Sequence, residues 1–322
     1  FGIERLTSGI TAAGVALHYL NETEHRNLQH ISHIARIEEE RYMWLDRFTI
    51  RNLELTGSAN DTAITLPDVL DHTGLPMGAR LLKRWIIMPL KDQKSIQERL
   101  DVVDHFDQNR ELRDELVKEI KQVGDLERLI SKIGLQKANP REVIQLKRAL
   151  YAVEKLKERT DLPDSNSLRV ISEQLNNCLI IRDKIDREVQ QEPPVLLQKG
   201  NVIADGVDEE LDKLRKIAFG GTGYLWEIHR REAEAPGIPS LKIAFNNVFG
   251  YYLEVTNTHK DKVPEGWIRK QTLVNAERYI TEELKTYEEQ ILGAEEKIQA
   301  IENRIYQALL ADIAEYIKPI QL

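Results

Sequence analysis

Apolar residues recur every three or four positions along most of this chain, which is the spacing of helices that bury one face. The first segment of this kind covers residues 9–20, and a second covers 46–54. In the second segment, Leu45, Phe48 and Leu53 are the expected core contacts. The spacing predicts further helices at about 76–88, 92–107, 109–122, 125–134, 140–158 and 165–187. Because no strand alternation interrupts them, this part of the chain is predicted to be an all-α core.

Two later segments show the alternation of four and three that is typical of paired helices. Each covers roughly 30 residues, so a helical pair would reach about 45 Å at 1.5 Å per residue. We expect the two helices to run antiparallel and to carry at their far end the stretch between them. The apolar positions are Val207, Leu211, Leu214, Ala218, Gly221, Leu225 and Ile228 in the first helix, and Leu284, Tyr287, Ile291, Ala294, Ile298, Ile301, Ile305 and Ala308 in the second.

The stretch between these helices, from Leu241 to Tyr279, is crowded with β-branched and aromatic residues, which predict a small antiparallel sheet. Four strands are predicted at about 240–245, 250–256, 267–271 and 276–280. The fold class predicted from these patterns is therefore mainly α. It is a multi-helix core with a long antiparallel helical pair that carries a four-stranded sheet at its tip.

Turn residues predict how the strands connect. Asn246 and Asn247, followed by Gly250, mark the first hairpin turn, and Asn275 lies in the second. If the strands run up and down between the two helices, both turns lie at the end of the sheet away from the helices. The loop of residues 257–266 would then return to the helix side.

Charge sets the sheet apart from the rest of the chain. The formal net charge of the whole chain is -8, whereas residues 237–280 hold six Lys or Arg against four Asp or Glu. The overall acidity argues against a nonspecific nucleic-acid-binding protein but leaves a local contact open. Cys178 is the one cysteine, so an internal disulfide framework and a cysteine-based zinc site are excluded. No apolar run approaches the ~18–20 residues of a membrane span.

Side chains suited to phosphate are predicted at the outer end of the sheet. Lysine and arginine supply charge, whereas amides, hydroxyls and turn N–H groups supply neutral donors. No recognition helix or aromatic stacking platform for base reading is evident. A solubilising role for these cations is equally compatible with composition, so the residues alone leave a DNA role open. The candidate DNA-backbone contacts are Lys242, Asn246, Asn247, Arg269, Lys270, Gln271, Thr272, Asn275 and Arg278.

Other chemistry finds little support in the sequence. Gly220-Gly-Thr-Gly223 lacks the Lys and Ser/Thr of a phosphate-binding loop, so we interpret it as a bend in the helix. His30 and His33 have the spacing of a helical metal pair, but no further ligand with recognised spacing lies nearby, which favours a solvated linker. No partnered base or metal set supports a hydrolase. We therefore expect no catalytic activity, cofactor or metal in this chain.

Five segments of the chain form recognisable motifs. Three lie among the helices, at residues 70–85 (LDHTGLPMGARLLKRW), 123–129 (VGDLERL) and 206–212 (GVDEELD). Two lie in the predicted sheet, at residues 249–255 (FGYYLEV) and 269–280 (RKQTLVNAERYI). The first three resemble the core, and the last two the clamp domain, of the MutS family of DNA mismatch-repair proteins. The resemblance covers nearly the whole chain.

The resemblance implies a division into domains. Residues 1–43 would be the tail of a connector domain and a linker, and residues 223–282 the clamp. Residues 44–222 and 283–322 would form a discontinuous core and lever domain. Phe1-Gly2-Ile3-Glu4 resembles the end of the connector and differs in spacing from the family's mismatch-reading Phe-x-Glu motif. The family's ATPase domain, with its phosphate-binding loop, is expected beyond Leu322.

The resemblance also implies a function. A clamp would grip mismatch-containing double-stranded DNA through its backbone, and levers would couple DNA to an ATPase domain that uses ATP and magnesium. The resemblance further implies a homodimer that works in the bacterial cytoplasm, at the nucleoid. Downstream repair proteins such as MutL are the expected partners, and no membrane contact is expected. The alternative is a helical interaction scaffold whose β tip docks a protein partner. Salt dependence separates the two, because only phosphate contacts release counterions.

Overall fold

The computed structural model describes residues 6–23, 31, 34, 40–60, 62–161, 166–219, 221–234, 237–246 and 250–321. The chain divides into two compact units. The helical unit comprises Phe1–Val195 with Gln307–Leu322, and the sheet unit comprises Leu196–Tyr306. Among the described residues, no helix combines the length and apolar character needed to cross a bilayer.

The helical unit confirms most of the predicted helices. A proline begins both α4 and α8, where its missing N–H costs no intrahelical hydrogen bond. The Asn139 side chain accepts a hydrogen bond from the Glu142 N–H and caps α8. The helices are α1 (Thr7–Glu22), α2 (Arg47–Asn52), α3 (Leu66–Leu70), α4 (Pro76–Ile87), α5 (Gln93–Gln108), α6 (Arg110–Val123), α7 (Leu126–Gly134), α8 (Pro140–Thr160), α9 (Asn166–Gln174) and α10 (Leu179–Glu188).

Two predictions for this unit are wrong. The single helix predicted over 165–187 is two helices, because Cys178 takes a left-handed backbone conformation (φ 44°) immediately before α10. Its N–H and thiol both lie within hydrogen-bond distance of Asn176 Oδ1, which holds the turn. The second error concerns Phe48 and Leu53, which were expected in the core. They are 74% and 62% exposed.

The core of the helical unit lies between α6 and α8. Leu116 and Val123 of α6 pack with Ala149, Val153 and Leu156 of α8, and these side chains are all buried. The thiol of the single cysteine is also buried, which raises its pKa.

The sheet unit begins with a 3-10 turn at Leu197–Lys199 and continues with two helices that lead into the sheet. The remaining elements are α11 (Glu209–Phe219), α12 (Gly221–Glu234), β1 (Lys242–Asn246), β2 (Gly250–Thr256), a 3-10 turn (Asn257–Lys262), β3 (Ile268–Thr272), β4 (Ala276–Ile280) and α13 (Glu282–Glu315). The part of α13 from Gln307 onward and a short α14 (Ile317–Gln321) belong to the helical unit. Gly220, the centre of the predicted bend, lies outside the described residues, as do His30 and His33 of the possible metal pair.

Three ion pairs show that α11 and α12 run antiparallel to α13. Going forward along the chain, Asp208, Arg215 and Arg231 meet residues of α13 in descending order. The partners are Arg304 at 3.4 Å, Glu302 at 2.5 Å and Glu283. The predicted antiparallel helical pair is therefore present within the sheet unit.

The apolar stripe of α13 follows the predicted alternation only in part. Leu284, Tyr287, Ile291, Ala294, Ile298 and Ile301 are buried, as the heptad pattern predicts. Ala308 is exposed, and the buried face beyond Ile301 passes instead through Glu302, Tyr306, Leu309, Leu310 and Ile313. The prediction for Ala308 is wrong because the buried stripe moves by about one position around the helix.

The four predicted strands are confirmed, but their order along the sheet is β1-β2-β4-β3. All three pairings are antiparallel. Since β2 and β4 are neighbours and antiparallel, the turn after β1 and the turn after β3 lie at opposite ends of the sheet. The prediction that both turns share one end is therefore wrong.

Helix α13 shows which end faces the helices. Leu284 shares a core with Leu253 and Val255, and the ring of Tyr287 lies 6.2 Å from that of Tyr251. A Cβ added at Gly250 would overlap the carboxylate of Glu288. Going forward along α13, its residues therefore contact β2 in reverse order, ending at Gly250, the first residue of β2. The helix extends beyond the sheet at that end. We call this the helix-side end, marked by Asn246, Gly250, Ile268 and Ile280. The far end is marked by Lys242, Thr256, Thr272 and Ala276.

Candidate nucleic-acid interface

Two short turns lie side by side at the far end of the sheet. The Asn257 N–H donates to the carbonyl oxygen of Asn275 at 3.1 Å, and its side-chain amide donates to that of Val274 at 2.9 Å. Within the second turn, the Leu273 N–H donates to the Ala276 carbonyl at 2.8 Å. One asparagine therefore fixes the β3–β4 turn against the 3-10 turn that follows β2.

A cluster of hydroxyl groups lies beneath the 3-10 turn. Ser240 Oγ is 2.8 Å from Thr256 Oγ1, which is 2.9 Å from Thr258 Oγ1. The imidazole Nδ1 of His259 lies 3.1 Å from Ser240 Oγ and 3.2 Å from Thr258 Oγ1. These contacts join the start of β1 to the end of β2 and give the far end a surface of polar donors.

Lysines lie at this end of the sheet, in the 3-10 turn and at the start of β1. Lys260 is exposed, and Lys262 donates to the carbonyl oxygen of Gly237 at 3.2 Å, a neutral partner that does not balance its charge. Lys242 is exposed at the start of β1 and has no carboxylate within salt-bridge distance among the described residues. Asp261 lies between Lys260 and Lys262 in sequence, so the 3-10 turn keeps a net positive charge.

A bulge in β3 presents a further cation. The pairing of β3 with β4 shifts between Arg269 and Gln271, which leaves Lys270 without a partner residue in β4. Since β3 is an edge strand, the exposed Lys270 side chain is not crowded by a neighbouring strand. In the part of the chain that the structure describes, it forms no ion pair.

Arg278, in contrast, is occupied by its neighbours on the sheet. Its Nε donates to Glu254 Oε2 at 2.9 Å and its Nη1 to Gln271 Oε1 at 3.0 Å. The guanidinium also lies 4.4 Å from the centre of the Tyr252 ring. Because its charge is already balanced by a carboxylate, Arg278 and its partner Gln271 are better suited to hold the strands together than to contact phosphate.

Arg269 belongs to a second ion pair on the opposite face. Its Nη1 lies 3.5 Å from Glu277 Oε1, and Glu277 also accepts a hydrogen bond from the Tyr279 hydroxyl. Burial raises the pKa of Tyr279 to about 12, and the hydrogen bond with Glu277 adds to the shift. This group stabilises the packing of β4 on the core.

The structure thus separates the predicted contact residues. Lys242, Lys270, Thr272 and Asn275 are exposed in the far part of the sheet and its bulge. Asn246 lies at the helix-side end, and Asn247 lies outside the described residues. The prediction that Asn246 gathers with Asn275 is therefore wrong.

Sequence reasoning missed the contribution of residues 257–262, because the up-and-down topology placed this loop on the helix side. A signal was present in its length. The connection of residues 257–267 is longer than the two to five residues of an ordinary hairpin. Eleven residues at about 3.3 Å each can cross a five-residue strand and return to the opposite end.

Together these groups make the far end of the sheet and the adjoining strand β3 polar and positively charged, and none of them is an exposed Phe, Tyr or Trp ring or a helix for base reading. Lysines and hydroxyls of this kind bind phosphate oxygens and carry no sequence information by themselves. Among the described residues, no group of three or more His, Cys, Asp or Glu side chains is arranged to hold a metal ion.

Comparison with known proteins identifies relatives along the whole chain. The profile of the MutS domain III family matches residues 48–322. Proteins named DNA mismatch repair protein MutS are 57% identical in Parabacteroides distasonis, 56% in Bacteroides fragilis and 55% in Flavobacterium johnsoniae, each over 322 residues. These alignments cover 100% of this chain and 37% of each relative. The chain therefore spans a little over a third of the length of these relatives.

Proposed function

The chain belongs to the MutS domain III family, and from that premise we propose that it acts in DNA mismatch repair by gripping the backbone of double-stranded DNA. The observation that carries the proposal is the far end of the sheet, where Lys242 and Lys260 lie near the turns joined by Asn257. Lys270 adds an exposed charge on β3, the edge strand that leads to one of these turns. Phosphate contacts of this kind are independent of sequence, which suits a protein that must hold any duplex.

The helical pair supports a second part of the proposal, in which α11, α12 and α13 act as a lever. Ion pairs hold the antiparallel helices at Arg231–Glu283 near the sheet and at Arg215–Glu302 towards the other end. A pair held at both ends moves as a unit, so force on the sheet would be carried along its length. Coupling to an ATPase would further require a second site in a longer protein.

The proposed role of this chain is binding without catalysis, with no cofactor of its own. In the longer protein, we propose that two copies enclose mismatched DNA and that repair partners such as MutL act downstream, in the cytoplasm at the nucleoid. Two sheets that grip one duplex would gain affinity through effective concentration. A single chain is accordingly expected to bind weakly and should be measured first at low salt.

The test is the salt dependence of duplex affinity. Fluorescence anisotropy measures the affinity for a labelled 30-base-pair DNA at KCl concentrations between about 20 and 200 mM. Removing one phosphate contact should reduce the slope of log K against log salt by about one. Lys270→Gln is expected to produce this change. Lys297→Gln removes the same charge from an exposed position on α13 and serves as the matched control, with an unchanged slope.

Arg278→Gln adds a second comparison. Because Arg278 is already paired with Glu254, its replacement should lower the free energy of unfolding and leave the salt slope nearly unchanged. A duplex affinity that changes neither with salt concentration nor on Lys270→Gln substitution would contradict the proposed backbone grip. Such a result would favour the alternative role as a scaffold that docks a protein through the sheet.

A further inference from the structure

The tip of the β3–β4 turn carries an apolar side chain in a polar setting. Val274 is 92% exposed, the highest value for a large apolar residue among the described residues. Its sequence neighbour Leu273 is half-buried, and Asn275 on the other side is exposed. Turn positions usually carry Gly, Asn, Asp, Ser or Pro, so a β-branched residue at this apex is unusual.

Hydrogen bonds hold the Val274 backbone in place. Its carbonyl oxygen accepts the side-chain amide of Asn257 at 2.9 Å, and the carbonyl oxygen of Asn275 accepts the Asn257 N–H at 3.1 Å. The apex is therefore fixed, and its side chain points away from the core. A single exposed apolar residue is ordinary on a protein surface, but one held at the tip of a polar edge is placed for contact.

The groups around Val274 constrain what that contact can be. Asn275 adjoins it in the turn, Thr272 ends the strand that enters the turn, and Lys270 lies two residues further back on that strand; each can donate to phosphate. Between the two phosphate rows of a duplex, a groove is lined by the sugars. In DNA the deoxyribose offers a C2′ methylene group, whereas in RNA a 2′-hydroxyl occupies that position and lines the shallow groove.

We propose that Val274 packs against the deoxyribose edge of a duplex groove while the neighbouring polar groups hold phosphate. The inference rests on the proposed DNA grip and specifies its substrate as a DNA duplex. An RNA duplex is disfavoured because Val274 would cover a 2′-hydroxyl without offering it a hydrogen bond. The contact selects the sugar and does not depend on the base sequence.

The experiment compares duplex DNA and duplex RNA of one sequence, each fluorescently labelled, over the same salt series. Val274→Ser should weaken DNA binding about fivefold at every salt concentration, since the variant removes an apolar contact. The salt slope should not change, because every phosphate contact is kept. Val274→Ile retains the apolar surface and should keep the affinity for DNA within about twofold of the original. The preference for DNA over RNA should shrink in Val274→Ser.

The outcomes separate this inference from the proposed function. If Val274→Ser binds DNA as tightly as the original chain while Lys270→Gln reduces the slope, the grip stands and the sugar contact is wrong. If Val274→Ser changes the slope by about one, the turn acts through phosphate, which also overturns the inference. If no duplex binds at low salt, the grip fails and the sugar contact fails with it.

Discussion

The guanidinium of Arg215 and the carboxylate of Glu302 meet at 2.5 Å in the interior of the sheet unit, where the Glu302 side chain is 1% exposed. The same carboxylate accepts the backbone N–H groups of Asn201 at 3.1 Å and Val202 at 3.4 Å. Arg215 in turn donates to the Ile203 carbonyl at 2.7 Å. One buried ion pair therefore fastens the loop before α11 to both α11 and α13.

Replacing Glu302 with leucine should strongly destabilise the sheet unit. The change would remove the acceptor of the Asn201 and Val202 N–H groups, and it would leave Arg215 with only the exposed carboxylate of Asp205 to balance its charge. Breaking a buried pair in this way costs about 3–5 kcal/mol. Urea unfolding followed by circular dichroism measures the loss.

The matched control is Arg304→Gln on the same helix. Arg304 lies 3.4 Å from Asp208, and its side chain is 67% exposed. An exposed pair of this kind contributes about 0–1 kcal/mol. Equal losses for Glu302→Leu and Arg304→Gln would show that burial of the Arg215–Glu302 pair is not what stabilises this region.

A second ion-pair group joins α4 to α7 in the helical unit. Arg80 Nη2 lies 2.7 Å from Asp125 Oδ1, and Arg80 Nε donates to Glu127 Oε2 at 2.8 Å. The hydrogen bond from Arg80 lowers the pKa of Asp125, and the N–H of Arg128 contributes to the shift. Both residues of this contact lie in segments that resemble the core of the MutS family, residues 70–85 and 123–129, and the structure shows that these segments contact each other.

The lowered pKa of Asp125 predicts an acid sensitivity. A carboxyl group with a lowered pKa in the folded state contributes stability above its unfolded pKa of about 4, and that contribution is lost as pH falls through the folded value. Arg80→Met should therefore reduce the urea midpoint at pH 7 and matter less at pH 3. A deficit that is the same at both pH values would show that Arg80 acts through packing alone.

Tyr279 should make the sheet unit sensitive to alkali. Its pKa is raised to about 12 from an ordinary 10.0, so the folded state favours the neutral phenol. That contribution is complete below pH 10 and is lost as pH rises towards 12. The difference in absorbance at 295 nm between the original chain and Tyr279→Phe should rise near pH 12. A step near pH 10 would contradict the burial of this hydroxyl.

How far the candidate site could be predicted depended on the range of the interactions involved. The strand limits at 250–256 and 276–280 follow from β-branched and aromatic content, and they were correct. Lys270 could be identified by its charge. The bulge that contains it could not be predicted, because it depends on how β3 pairs with β4 and local sequence does not specify that pairing. Residues 257–262 were missed because their position depends on the same pairing.

The sequence by itself determined the mainly helical fold, the position of the sheet and the membership in a family, because helix spacing, residue type and motif are local properties. Only the tertiary structure decided which strands are neighbours. Alternation specifies the face on which a residue lies but not the strand beside it. In the β1-β2-β4-β3 order, Asn246 and Asn275 lie at opposite ends of the sheet, and Asn257 contacts the β3–β4 turn. This order is selected by hydrogen bonds between strands that are distant in sequence.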